Sequence, residues 1–210
     1  DADFNILPQI MLEGRRVINN ITRAASLFLV KNLFSLFLSI ALMVLPFDYP
    51  FAPIQLTLIS SLTIGFPSFV LALQPSDERV RGNFLRNVIM RALPGGVSAA
   101  ALLLTLLAAA PALSYSADVV STLSTYIAGY SGVVMLLLTC LPLNRLRAGL
   151  VALMAAGLAL AVTLFPKVFY LTPVTGSQWW LLLAAAVLAP AIQLSLGAVI
   201  GGQKPRRLFH

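Results

Sequence analysis

The chain has 210 residues, of which 59% are hydrophobic and 10% are charged, and its formal net charge at pH 7 is +7. A soluble globular domain carries about 25% charged residues, so the composition predicts that lipid is the solvent for much of this chain. The single cysteine, Cys140, lies in an apolar run and excludes a disulfide framework and a thiolate metal site.

The first element is a polar approach to a long apolar segment. It contains three arginines, and its first acidic residues, Asp1 and Asp3, do not form the basic region of a signal peptide. The pattern predicts a cytoplasmic stalk over residues 1–23 that continues into a membrane helix. Because the sequence starts abruptly within such a stalk, we expect it to be part of a longer polypeptide.

Six apolar stretches follow, and each is long enough to cross about 30 Å of hydrocarbon. Helices are expected, because unpaired strand edges are not tolerated in lipid. The predicted fold is all-α: a polytopic membrane bundle of about six transmembrane helices with a cytoplasmic N-terminal stalk. The predicted spans are 24–46, 51–73, 93–113, 119–141, 149–165 and 178–200.

The basic residues lie on alternate connections between these spans. They occur in the stalk, in the loop 74–92, between the fourth and fifth spans, and in the tail 204–210, whereas the opposite loops hold only Lys167. This positive-inside pattern predicts that both termini are cytoplasmic. It explains the net charge as membrane topology, so we do not expect a nucleic-acid partner.

One charge falls inside a predicted span. Lys31 lies about 9 Å beyond the expected cytoplasmic edge of the first span at 1.5 Å per residue. Intramembrane charges are costly and usually face the interior of a bundle, which favours a position on an ion path. The alternative interpretation is a lysine that snorkels to the headgroups. No Asp or Glu lies within any predicted span.

Other polar residues accompany Lys31 in the first two spans. Asn32 and Ser35 are three residues apart and share a helical face. Gly and Pro in a membrane helix can free backbone carbonyls that line a cavity, whereas Ser and Thr can also simply bond to their own helix. We therefore expect an ion path around Lys31, Asn32, Ser35, Ser60, Thr63, Gly65 and Pro67.

The stalk and the second span resemble P-type ATPases. In calcium pumps of animal endoplasmic reticulum the stalk reads D-D-N-F, a spacer, E-E-G-R and then N-N, and the sixth membrane helix begins P-x-Q-L and continues to T-D-G-L-P. The corresponding residues here are Asp1-Ala2-Asp3-Phe4, Leu12-Glu13-Gly14-Arg15, Asn19-Asn20, Pro53-Ile54-Gln55-Leu56 and Thr63-Ile64-Gly65-Phe66-Pro67. The resemblance covers about a third of the chain, and the remainder agrees in span count and topology.

The resemblance implies that the six spans are the fifth to tenth membrane helices of a bacterial cation-transporting pump. Residues 24–73 would form the ion-path hairpin, and 93–203 a supporting four-helix region. Asn32 and Thr63 keep ligand positions of the family pattern, while Ser35 and Ile64 stand where it has carboxylates. The ion would be calcium or another metal cation, and the loss of two carboxylates argues against a two-calcium site.

The resemblance also implies partners. The chain has no D-K-T-G-T, T-G-E-S or G-D-G-x-N-D motif, so this segment is expected to bind no cofactor. The parent would use ATP and Mg²⁺ in its phosphorylation, nucleotide-binding and actuator domains and would add four further membrane helices. Arg79, Arg81 and Arg86 would dock the phosphorylation domain. The alternative is a stand-alone secondary transporter or a membrane scaffold protein.

Overall fold

The computed structural model describes residues 7–74 and 83–201, so the predictions on Asp1, Asp3, Arg79, Arg81 and the tail 204–210 lie outside the described residues. Within these described ranges, six helical segments are long and apolar enough to cross a membrane, as predicted. The helices are α1 (Leu7–Val44), α2 (Pro53–Ser60), a π-helical turn (Ser61–Gly65), α3 (Phe66–Leu73), α4 (Phe84–Ala109), α5 (Ala117–Thr139), α6 (Arg145–Leu164) and α7 (Gln178–Gly201).

Helix α1 runs without interruption from residue 7 of the predicted stalk to residue 44 of the predicted first span. Two other helices begin earlier than the apolar pattern predicts. We expected the basic loop to extend to residue 92, but α4 begins at Phe84, and α6 begins at Arg145 rather than at 149. Arginine favours helix, so the helical winding continues past the apolar stretch into the charged flank.

The second span is one rod built from α2, the π-helical turn and α3. Pro67 has no backbone N–H and cannot donate to a carbonyl of the preceding turn. The chain accommodates this with a wider turn, in which the Phe66 amide donates to the Ser61 carbonyl five residues earlier. We expected Gly65 and Pro67 to break the helix, and the structure instead shows a π-helical turn, a form frequent at functional sites.

Close packing between α1 and α4 organises the centre of the bundle. A β-carbon at Gly96 would lie 2.7 Å from Leu33 Cβ and 3.3 Å from the Phe34 backbone nitrogen, so only glycine permits this approach. Helices in membranes associate through such small residues. The main apolar cluster extends from this crossing through Leu38, Leu103 and Leu123.

Gln55 fixes the start of the second span. Its side chain is fully buried, and its carbonyl oxygen accepts hydrogen bonds from the Ala52 amide at 3.0 Å and from Ser121 Oγ at 2.9 Å. Its amide nitrogen donates to the Phe169 carbonyl at 3.1 Å. One side chain thereby joins α2, α5 and the connection between α6 and α7, which sets the position of the π-helical turn.

Candidate functional site

A cavity of about 40 Å³ lies between α1, the second span, α4 and α5. Thr63 stands midway between Pro53 and Leu73. The cavity therefore lies beside the middle of the second span. Its polar lining side chains are Lys31, Ser60, Thr63 and Ser131, and the remaining lining includes Phe34, Ile59, Gly95, Ala99, Ala128, Gly132 and Met135.

Lys31 is half-buried and borders this cavity. It lies about 9 Å inside the expected cytoplasmic edge of the first span at 1.5 Å per residue, a distance that a lysine side chain can cover by snorkelling. Its place in the cavity lining supports the other interpretation, a cation on the ion path, and both interpretations stay predictions.

Ser60 and Thr63 line the cavity, and each hydroxyl proton has a partner in its own helix. Ser60 Oγ donates to the Leu56 carbonyl at 2.5 Å, and Thr63 Oγ1 donates to the Ile59 carbonyl at 2.8 Å. Because each proton is engaged by the helix itself, the remaining lone pairs are the free part of each hydroxyl. Back-bonding, which we considered as the alternative to a ligand role, is thus compatible with that role.

Asn32 and Ser35 do not join this group. Asn32 is exposed on the outer surface of α1, and neither residue lines the cavity. Ser35 hydrogen-bonds instead to Tyr49. The pKa of Tyr49 is raised overall, because the effect of burial exceeds the opposing effect of this hydrogen bond. The predicted face of Asn32 and Ser35 is therefore rotated away from Ser60 and Thr63 by the packing of Val30 and Leu33 against α4.

The other predicted site residues that the structure describes, Gly65, Pro67 and Arg86, do not line the cavity. Gly65 would place a β-carbon 3.7 Å from the Ser60 carbonyl oxygen, and Pro67 is buried at the start of α3. Arg86 is exposed in the first turn of α4, where a docking role stays a prediction.

A second polar cluster, which the sequence analysis missed, joins the ends of several helices. Arg147 is buried, and its guanidinium donates to Gln74 Oε1 at 2.7 Å and to the Pro142 carbonyl at 2.9 Å. Asn20 Nδ2 donates to the carbonyls of Ala72 at 2.9 Å and Gln74 at 2.6 Å. The cluster ties α1 to the end of α3 and the start of α6. Its only sequence signal was Asn20, which we had used solely for the family resemblance.

The charge of the cavity distinguishes it from a carboxylate-rich metal site. Within residues 7–74 and 83–201, no three His, Cys, Asp or Glu residues are grouped so that they could hold a metal ion. The cavity wall offers one ammonium group and hydroxyl oxygens. Such a wall binds a cation only through neutral oxygens, with further ligands or water completing the shell.

Comparisons with known proteins point to one kind of relative, although no family model matches the chain. The probable cation-transporting ATPase exp7 of Streptococcus pneumoniae is 34% identical over 176 residues, which are 80% of this chain and 22% of that protein. The calcium-transporting ATPase CtpE of Mycolicibacterium smegmatis is 40% identical over 107 residues, 46% of this chain and 14% of that protein. CtpE of Mycobacterium tuberculosis is 40% identical over 104 residues, 45% of this chain and 13% of that protein. The chain thus spans about a fifth or less of these relatives and resembles a part of such a pump.

Proposed function

We propose that this chain, which resembles the membrane domain of P-type cation-transporting ATPases, forms part of the ion path of such a pump. The observation that carries the proposal is the cavity beside the middle of the second span, which is lined by Lys31 of α1 and by Ser60 and Thr63 at the π-helical turn. Six apolar helices and relatives that are cation-transporting ATPases support the same function.

The transported ion in this proposal is Ca²⁺ or another metal cation. CtpE supports calcium by its name, while the neutral oxygens of Ser60 and Thr63 provide no charge to offset a divalent ion. Lys31 adds one positive charge to the same wall. We therefore propose that carboxylates of the cation site come from membrane helices outside this chain and that Lys31 limits how many cations are held together.

Both ends of the chain face the cytoplasm in this proposal. Basic residues concentrate on the connections at one end of the bundle, where Arg23 and Arg147 also lie, and the positive-inside rule assigns that end to the cytoplasm. The exposed Arg86 at the start of α4 is then on the side of the phosphorylation domain and would dock it.

The Asn20–Gln74–Arg147 cluster gives α1 a mechanical link to the ion path. ATP hydrolysis, with Mg²⁺, would take place in soluble domains that this chain does not include. Because Asn20 bonds to the last residues of the second span, a tilt of the stalk would move α3 with it. The π-helical turn lies between that link and Gln55, where the span is fixed to α5, and would absorb the movement next to Thr63.

The test is ion-dependent phosphoenzyme formation by the full-length protein, screened with Ca²⁺, Mg²⁺, Mn²⁺, K⁺ and H⁺. Thr63→Val and Ser60→Ala should raise the concentration of the activating ion needed for half-maximal phosphorylation at least tenfold, about 1.4 kcal/mol of binding free energy. Thr57→Val is the matched control, because Thr57 also donates to its own helix but does not line this cavity.

The outcomes separate the functions. No ion-stimulated phosphoenzyme under any condition would contradict the pump and favour a secondary transporter or a scaffold. Normal phosphorylation with an ion dependence unchanged by Thr63→Val and Ser60→Ala would show that these side chains only pack. The folded yield, measured by size-exclusion chromatography of each variant, ensures that loss of protein is not read as loss of ion binding.

A further inference from the structure

Gln193 of α7 is a buried polar side chain that the proposed site does not use. Only 1% of its surface is exposed, and its amide nitrogen donates to Ser131 Oγ at 2.9 Å and to the Ser131 carbonyl at 3.1 Å. Its carbonyl oxygen is buried without a hydrogen-bond partner among the residues that the structure describes. A buried amide oxygen without a hydrogen-bond partner lowers the stability of a helical bundle, which suggests that Gln193 has a function besides packing.

That function concerns Ser131, the hydrogen-bond partner of Gln193, because Ser131 is the polar side chain that α5 contributes to the cavity wall. Ser131 precedes Gly132, against which Thr63 packs, and Ser131 and Thr63 line the same cavity. The Gln193 amide does not line the cavity itself but donates a hydrogen bond to Ser131, which does.

The hydrogen-bond pattern defines what Ser131 can offer. Its oxygen accepts from Gln193, which leaves one lone pair and the hydroxyl proton for another partner. Ser60 and Thr63 have already given their protons to their own helix and offer only lone pairs. A water molecule whose oxygen faces a cation can therefore donate one hydrogen to the free lone pair of Ser131 and the other to Thr63 or Ser60. A volume of about 40 Å³ has room for such water.

We propose that Gln193 is a positioning residue for the cation site: it fixes the Ser131 hydroxyl so that this hydroxyl binds a water molecule of a partly hydrated cation. The proposal rests on the proposed function, since it assigns a third hydroxyl and a supporting amide to the same cavity. It extends the site to α5 and α7, beyond the two spans in which the sequence placed it.

A double-mutant cycle in the full-length protein tests this proposal, with Ca²⁺-dependent phosphoenzyme formation as the measurement. Ser131→Ala and Gln193→Met should each raise the half-maximal Ca²⁺ concentration about fivefold, as expected for one hydrogen bond. The double variant should show no more than the single effect, because both changes remove the same oriented hydroxyl. The maximal phosphoenzyme level should stay unchanged.

Tyr130→Phe is the matched control. Tyr130 also joins α5 to α7, through a 3.0 Å hydrogen bond to the Ala186 carbonyl, but it does not border the cavity. Its removal should leave the Ca²⁺ dependence unchanged. If Tyr130→Phe and Gln193→Met shift the Ca²⁺ dependence equally, the effect comes from helix packing and the proposal is wrong.

The remaining outcomes are also decisive. An effect of Gln193→Met without one of Ser131→Ala, or additive effects of the two, would overturn the positioning role. If Gln193→Met lowers the folded yield, Ser131→Ala alone decides, because it removes a single oxygen. A shift with Thr63→Val but none with Ser131→Ala would leave the pump function standing and reject only this inference. No shift with any cavity variant would instead show that the cavity side chains only pack and would reject this cavity as the cation site, whereas the absence of any ion-stimulated phosphoenzyme would reject the pump itself.

Discussion

Thr63 packs directly on Gly132: a β-carbon at Gly132 would lie 2.8 Å from Thr63 Cγ2 and 3.0 Å from its hydroxyl oxygen. Real β-carbons essentially never come this close to another heavy atom. The threonine of the second span therefore keeps its position only because α5 has no side chain at this point. Gly132 thus determines the position of Thr63 in the cavity wall although it has no polar side chain of its own.

Gly132→Ala should shift Thr63 and weaken ion binding. The added methyl group can be accommodated only if Thr63 or the π-helical turn moves, since both partners are part of packed helices. We expect the half-maximal ion concentration for phosphorylation to rise about tenfold, or 1.4 kcal/mol. Gly149→Ala is the control, because a β-carbon there meets nothing within 4 Å. Equal effects of the two variants would contradict the packing argument.

The sequence predicted the number of membrane spans correctly, whereas the role of the second span stays a prediction. Length and apolarity locate a membrane helix because its cost in water is set by composition. They do not fix its rotation. Asn32 was assigned to the cavity from its resemblance to a ligand position, but Gly96 draws the opposite side of α1, Leu33 and Phe34, against α4. Rotation follows from such close contacts, which one sequence does not display.

The hydrogen bonds that join the helix ends around Arg147 could not be predicted from the sequence either. Arg147 looked like a topological charge, because arginines at cytoplasmic ends usually face water or headgroups. Its acceptors are Gln74 Oε1 and the carbonyls of Cys140 and Pro142. Two of these are backbone atoms, and Gln74 is distant in sequence. No residue pattern along the chain reports such a partnership, so only the tertiary structure could reveal it.

Lys31→Met should change ion preference rather than folding. If the ammonium group borders the cation site, removing it lowers electrostatic repulsion and lets the cavity take a cation of higher charge or in larger number. We expect Ca²⁺ and Mn²⁺ to activate phosphorylation at lower concentrations, by about tenfold, with little change for K⁺. Lys167→Met, in the connection between α6 and α7, is the control. An unchanged ion preference would show that Lys31 has no role on the path.

Arg147→Met should destabilise the bundle without altering ion preference. It leaves Gln74 Oε1 and the Pro142 carbonyl without their charged donor, and hydrogen bonds to charged groups contribute about 1.5–3 kcal/mol each. We expect a clear fall in the thermal unfolding midpoint of the detergent-solubilised protein. Arg145→Met, an exposed position two residues earlier, should have little effect. A similar fall for both variants would indicate a general effect of charge at this end of the bundle.

Cysteine labelling in intact and permeabilised cells can decide the topology, because the native thiol should not interfere. Cys140 is fully buried, and burial raises its pKa to about 11 despite the nearby Arg147 and Arg23. Since the thiolate is the reactive form, its fraction at pH 8 is far below that of an exposed cysteine. Within this chain, labelling at pH 8 therefore reports on the introduced cysteines, and cysteines elsewhere in the full-length protein are replaced beforehand.

The introduced cysteines replace exposed residues at opposite ends of the bundle, Asp48 and Ser177 at one end and Asn83 and Arg145 at the other. With cytoplasmic termini, Asp48→Cys and Ser177→Cys should react with a membrane-impermeant maleimide in intact cells. Asn83→Cys and Arg145→Cys should react only after permeabilisation. The reverse pattern would place the basic connections outside and contradict the positive-inside assignment. It would also separate the exposed Arg86 of α4 from any cytoplasmic phosphorylation domain, since Asn83 directly precedes that helix and shares its side of the membrane.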